Sequence, residues 1–244
     1  MVYRASADSK NRSRVTKRLR ALGCEQMHRS FWKVNKENVY AVSRLLEGNH
    51  PIILKRVREV RKPVYDKRSG KLCDPGSLII IAYRSLNETD RVKVKNFLKR
   101  APYIRLCRGV YAFSHWHERF DKRHELVNAT DFWEFIQKVD EKSIIIPRVI
   151  IVNTESVDMI LEEVKNRVKK EIDKIAQTYL NSYQKMNFEV TDQSFITTSQ
   201  KLKKRFTTIR KVAIFYKKWL RVDFSGDLIK IYRVMKRVNS LNIT

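Results

Sequence analysis

The chain repeats itself, and an internal repeat constrains the fold of both copies at once. Tyr3-Arg4-Ala5-Ser6 returns as Tyr83-Arg84-Ser85, an offset of 80 residues. Val15 and Leu19 return as Val94 and Leu98, and Arg29-Ser30-Phe31-Trp32 as Arg108-Gly109-Val110-Tyr111, at an offset of 79. Pro51-Ile52-Ile53-Leu54-Lys55-Arg56-Val57 then matches Ser143-Ile144-Ile145-Ile146-Pro147-Arg148-Val149 at a larger offset. The growing offset places an insertion in the second copy, within Ser114–Ala129.

Each copy reads as β-α-β-β-α-β. In the first, Val2–Ala5 is a short strand, and Val15, Leu19 and Leu22 have helical spacing that Gly23 ends. Met27–Val34 alternates as a strand. Val39, Val42, Leu45 and Leu46 form a second amphipathic helix, and Ile52–Val60 a further strand. The second copy follows with Leu78–Tyr83, Val92–Leu98, Ile104–Phe113, Phe132–Val139 and Ile144–Val152. The third strand of the first copy has to be squeezed into Phe31–Val39 or merged with the second. This alternation is that of a ferredoxin-like unit. Because both strand faces carry apolar groups, one face covers helices and the other is expected to pack on the sister sheet. Trp32 and Tyr111 are expected in the core rather than as base-stacking platforms.

Between the copies, Asp66-Lys67-Arg68-Ser69-Gly70 resembles the tip of a hairpin. After them, Val157, Ile160, Leu161, Val164, Val168, Ile172, Ile175, Tyr179 and Tyr183 keep helical spacing without a Gly or Pro. Two further helices follow, through Leu202–Leu220 and Leu228–Val238. The expected architecture is α+β: two tandem ferredoxin-like (βαββαβ) repeats packed as a pseudo-dimer, plus a C-terminal three-helix extension. Residues 1–62 form the first repeat, 63–77 a linker hairpin, 78–154 the second repeat and 155–244 the extension.

Charge decides what such a chain meets. Lys and Arg number 52 against 26 Asp and Glu, a formal +26, while 43% hydrophobic residues supply a real core. An excess of this size attracts polyanions. It is also uneven: residues 1–77 carry +12, 78–154 carry +5, 155–192 carry −2 and 193–244 carry +11. Three clusters dominate. Lys10, Arg12, Arg14, Lys17, Arg18 and Arg20 surround the first helix of copy one. Arg91, Lys93, Lys95, Lys99 and Arg100 occupy the same helix of copy two. Lys201, Lys203, Lys204, Arg205, Arg210 and Lys211 lie on the second C-terminal helix. With Arg29 and Arg108 these are the candidate phosphate contacts, because guanidinium pairs with two phosphate oxygens at once. Such contacts carry affinity and no base sequence. The near-neutral helix 157–183 is expected to pack on protein, within the chain or in a homodimer, burying Tyr179 and Leu180.

Other chemistries lack their signatures. His115-Trp116-His117, with His124, Glu118, Asp121 and Glu125 nearby, reads as a polar insertion loop, and whether those histidines bind metal is left open. There is no phosphate-cradling loop, dinucleotide fingerprint or HExxH zinc motif. No cofactor is expected. No run is long and apolar enough for a membrane span, and Met1-Val2-Tyr3-Arg4 lacks a signal-peptide core. Scattered Cys24, Cys73 and Cys107 suit a reducing compartment. The expected location is cytoplasmic, with the nucleoid or the ribosome.

The short first strand, basic first helix and Arg–small–aromatic strands at Arg29-Ser30-Phe31 and Arg108-Gly109-Val110-Tyr111 resemble the small ferredoxin-like subunit of CRISPR adaptation complexes and the VapD-type proteins of the same fold. The resemblance covers residues 1–154. It implies pairing of units through their sheets and binding of duplex DNA, and for some members a metal-dependent nuclease with an Asp ending the first strand. Here Ala5 and Ser6, and Ser85 and Leu86, stand at those positions, while Asp8 and Asp90 fall later. The sequence therefore points to non-catalytic binding of duplex nucleic acid, DNA before RNA. An RNA- or ribosome-associated protein is the first alternative and a divalent-metal nuclease the second.

Overall fold

Leu78–Ala82 is apolar at five successive positions, a pattern that suits a strand covered on both faces. It forms β6, at the centre of the main sheet, and all five side chains are buried. The computed structural model describes residues 1–3, 9–84, 86–116, 126–186 and 192–240. Its strands are β1 (Glu25–His28), β2 (Phe31–Lys33), β3 (Leu54–Arg56), β4 (Val64–Tyr65), β5 (Leu72–Asp74), β6, β7 (Tyr103–Cys107), β8 (Val110–Ser114) and β9 (Ile144–Ile151). Its helices are α1 (Ser9–Ala21), α2 (Val39–Leu45), α3 (Glu88–Leu98), α4 (Ala129–Val139), α5 (Glu155–Met186), α6 (Asp192–Trp219) and α7 (Ser225–Ser240).

The chain is mixed α+β, and its main sheet runs β3-β9-β6-β8-β7 with every neighbour antiparallel. Helices α3 and α4 begin at asparagine caps, Asn87 and Asn128, whose side chains accept from the backbone N–H of Asp90 and Asp131. They cover one face of the sheet: Phe132, Ile136, Val94 and Leu98 pack on Ile79, Ile81, Tyr111 and Phe113.

The N-terminal half has the same pairing sequence with less strand. Val2 makes isolated antiparallel bridges to Phe31 and to Ile52, and β1 pairs with β2. Of the expected first strand, Val2 is bridged on both sides, and residues 4–8 lie outside the described residues. The expected continuous strand Met27–Val34 is a hairpin turning at Arg29-Ser30, as Ile104–Phe113 turns at Arg108-Gly109. Alternation ran unbroken through the first turn, so it gave no sign of it. Trp32, Leu19, Val42 and Leu46 form a separate small core beneath α1 and α2.

The pseudo-dimer expectation requires a correction. The two halves meet edge to edge, through Leu54↔Ile151, Lys55↔Ile150 and Arg56↔Val149. The face reserved for a sister sheet is covered by the C-terminal helices. Leu78, Ile80, Ala82, Leu106 and Val110 share one core with Val157, Val164, Val168, Ile175, Tyr179 and Trp219. Residues 155–244 are therefore a third layer of the same body and not an appendage. The apolar stripe of α5 is spent inside the chain. Tyr179 is buried, but Leu180 is 42% exposed, because consecutive helical residues diverge by about 100°. The hairpin β4–β5 fastens α6: the Tyr65 hydroxyl donates to the Trp219 carbonyl at 2.9 Å, and Trp219 Nε1 donates to the Pro75 carbonyl at 3.0 Å.

The β1–β2 turn lies against the β7–β8 turn. Gly109 has φ +80°, and a Cβ there would lie 2.7 Å from the Tyr83 carbonyl and 3.0 Å from the His28 ring. Only glycine accommodates both the left-handed backbone and that closeness.

Candidate nucleic-acid interface

Helix α1 buries Val15 and Leu19, so Arg12, Arg14, Lys17, Arg18 and Arg20 are left exposed. On α3 Val94 and Leu98 are buried, and Arg91, Lys93 and Lys95 on it and Lys99 and Arg100 just after it are exposed. Helical periodicity thus sends the cations outward in both halves. The touching hairpins determine which of them meet.

Three adjoining depressions run across that junction. The first, about 810 Å³, lies between α1 and the two hairpins; its walls hold Arg12, Lys17, Arg20, Arg29, Arg105, Arg108 and one carboxylate, Glu163. The second, about 170 Å³, is lined by Arg29, Arg84, Arg91, Arg105, Arg108 and His28, with no carboxylate. The third, about 350 Å³, lies between α3 and α5; it presents Arg91, Lys95, Lys99, Arg105, Arg167, Lys170, Lys174 and Glu171. Arg29, Arg105 and Arg108 are common to the first two, and Arg91, Arg105, Tyr83 and Tyr111 to the last two. They form one basic groove with Arg105 on every part of it. Glu171 is neutralised from outside the groove by Arg205, at 2.6 Å.

Of the residues expected from sequence, the groove gathers Arg12, Lys17, Arg20, Arg29, Arg91, Lys95, Lys99 and Arg108. Arg14, Arg18, Lys93 and Arg100 do not line it. Neither do Lys201, Lys203, Lys204, Arg205, Arg210 and Lys211 on α6. The side chain of Lys10 lies outside the described residues, as do Asp8, His117, Glu118, Asp121, His124 and Glu125. Lys93 is paired with Asp90 at 3.0 Å, and Asp90 also accepts from Asn87. The Asp90 carboxylate is thus engaged in the first turn of α3. Among the described residues no three His, Cys, Asp or Glu side chains are placed to hold a metal ion. Trp32 and Tyr111 are both buried, at 1% and 7% exposure.

Sequence reasoning missed Arg84, Arg105, Arg167, Lys170 and Lys174. Arg105 carried a usable signal: it is the lone charge between Ile104 and Leu106 in an alternating strand. Arg84 stands alone after β6, outside any basic cluster, and Arg167, Lys170 and Lys174 were hidden because the segment holding α5 is acidic on balance. Arg167 is built into the wall. Its guanidinium lies 3.7 Å from the Tyr103 ring centroid and donates to the Tyr216 hydroxyl, which in turn donates to the Tyr103 carbonyl at 2.7 Å. Burial pushes the Tyr216 phenol up to about 12, so it stays protonated as that donor.

At the junction of the hairpins, His28 is 5% exposed and neither ring nitrogen makes a hydrogen bond of good geometry among the described residues. Burial holds the imidazole below its ordinary value. The near Tyr83 carbonyl and Asp140 oppose this, and Arg29 and Arg84 reinforce it.

No protein-family model matches the chain, and no curated protein or solved structure is significantly similar to it. No described helix is long and apolar enough to cross a membrane.

Proposed function

We propose that this protein binds the phosphate backbone of nucleic acid, without catalysis, along the groove centred on Arg105. The observation that carries the reading is the merging of cations from α1, both hairpins, α3 and α5 into one trough in which carboxylates are nearly absent. A solvated charged face needs no such convergence. Phosphate neutralisation releases counterions and supplies sequence-independent affinity.

The fold reading supports this. Each half pairs its strands in the order last, first, third, second, the order of a ferredoxin-like unit, so we read residues 1–62 and 78–154 as tandem copies. Arg29 and Arg108 hold equivalent turns in them, and the groove lies where those turns meet. The resemblance to the CRISPR adaptation subunit and VapD-type proteins favours duplex DNA, with RNA the competing ligand, and a place at the nucleoid or the ribosome.

Fluorescence anisotropy with duplex DNA, duplex RNA and single strands, each across a salt series, tests the proposal. For roughly 6–10 phosphate contacts, log K on duplex DNA falls with log salt at a slope of about −5 to −9. Arg105→Ala shallows that slope by about one unit on unrelated sequences. Binding that ignores salt refutes the reading, and tighter binding of duplex RNA transfers it to RNA.

A further inference from the structure

The middle of the groove differs from its ends. It narrows to about 170 Å³, against about 810 and 350 Å³ on either side, and it is the one part whose walls hold no carboxylate. Five arginines converge there around His28. A buried polar group normally has a partner, yet this imidazole has none of good geometry among the described residues on either nitrogen. The back of the pocket is closed by the interlocked turns, where Gly109 sits against the Tyr83 carbonyl and the His28 ring.

Two features therefore coincide: among the described residues none of these mutually repelling guanidinium groups is ion-paired, and the imidazole beside them has only the near Tyr83 carbonyl, at poor geometry. One small polyoxygen anion supplies the missing negative charge, accepting from the guanidinium groups beside the His28 ring. We propose that the pocket binds a phosphomonoester, the terminal phosphate of a nucleic-acid strand or of a nucleotide. An internal phosphodiester carries a single charge and is substituted on two sides, so it suits an open trough. A phosphomonoester carries about −1.5 to −2 at pH 7 and three free oxygens, and it enters with one substituent pointing out. The space is below the roughly 300–1,000 Å³ of sites that enclose a whole organic ligand, so the phosphate enters and the nucleoside stays in the flanking groove. Assignment to a strand end rests on the backbone-binding reading above; the phosphate pocket itself does not.

The test uses the full chain and three forms of one short duplex, with 5′-phosphate, 3′-phosphate or only hydroxyl ends, at about 0.3 M salt where backbone contacts are weakened. Adenosine monophosphate serves as free competitor. A terminal phosphate at one end tightens binding at least tenfold over hydroxyl ends. In the Arg84→Gln/Arg108→Gln double variant, altered at two exposed side chains and checked by thermal unfolding, that gain falls below twofold. The His28 ring protons shift when the wild type is titrated with adenosine monophosphate. Equal binding of all three duplexes with no effect of the nucleotide overturns the proposal, and so does a gain that persists in the double variant. Adenosine monophosphate that competes as well as the strand end supports the pocket and names the free nucleotide as its source. Loss of salt-dependent binding by the hydroxyl-ended duplex sinks only the backbone reading, because the nucleotide titration still reports on the pocket.

Discussion

The two halves pair their strands in one order and differ in how much holds them. In the C-terminal half β6, β7 and β8 are five residues each and β9 eight, and a core of aromatic and branched side chains lies beneath α3 and α4. In the N-terminal half Val2 makes two isolated bridges, β1 and β2 run four and three residues, and the local core is smaller. The weaker half carries the greater charge, +12 over residues 1–77 against +5 over 78–154. Self-repulsion destabilises a compact state, so the cationic half leans on its neighbour: β3 on β9, and Val2, Phe31 and Ile52 on the core shared with α5. The longer strands and larger core thus belong to the C-terminal half and the greater charge to the N-terminal half.

Phe132 is fully buried against Tyr111 and Phe113. Phe132→Ala is expected to cost about 3–5 kcal/mol by urea unfolding, the range for losing a large core ring. In wild-type hydrogen exchange, β6 amides are expected to open only with global unfolding, and those at Val2, β1 and β2 by a smaller, local route. Identical protection in both halves would break the comparison.

Gly109 joins the halves, and its substitution sharpens the contrast. Gly109→Ala imposes left-handed backbone on a residue with a Cβ and drives that Cβ into the Tyr83 carbonyl, for an expected loss of about 1–3 kcal/mol. The same variant should loosen the β1–β2 turn, read from exchange at Arg29 and Ser30. A loss confined to β7–β8 would show that the N-terminal half does not depend on this contact.

The smallest expected effect is acid-dependent. His28 in the folded chain titrates below its unfolded value, chiefly through burial. As pH falls through the unfolded value the unfolded chain takes up the proton first, so this contribution to stability is present above about 6.5 and is lost toward lower pH. Arg29 and Arg84 face the ring and deepen the loss; Asp140 and the Tyr83 carbonyl limit it. The melting temperature should drop slightly between neutral and mildly acidic pH, and His28→Asn should flatten that drop. An unchanged slope in the variant would place the acid sensitivity elsewhere.

The sequence makes some of this legible and hides the rest for physical reasons. Matching Arg29 with Arg108, and Val15 with Val94, exposes both halves, because equivalent backbones need equivalent side-chain patterns. Periodicity locates α5 but is silent on its partner: the apolar stripe from Val157 to Tyr179 suits a second subunit as well as the sheet it covers. The pairing of β3 with β9 has no local signature, since hydrogen bonds between edges are made by the backbone. Arg167, Lys170 and Lys174 are concealed because Glu162, Glu163, Glu171 and Asp173 cancel them in any count along the chain. The helix turns Glu162 and Asp173 away from the groove, while Glu163 and Glu171 stay on it beside the three cations, Glu171 paired with Arg205.

The edge pairing also sets a schedule. Leu54 finds its partner in Ile151, 97 positions further along the chain. At a synthesis rate of 5–20 residues per second, the first half therefore waits about 5–20 s before its docking strand exists. Throughout that interval an incompletely paired, strongly cationic segment stands outside the ribosome, itself an assembly built on RNA.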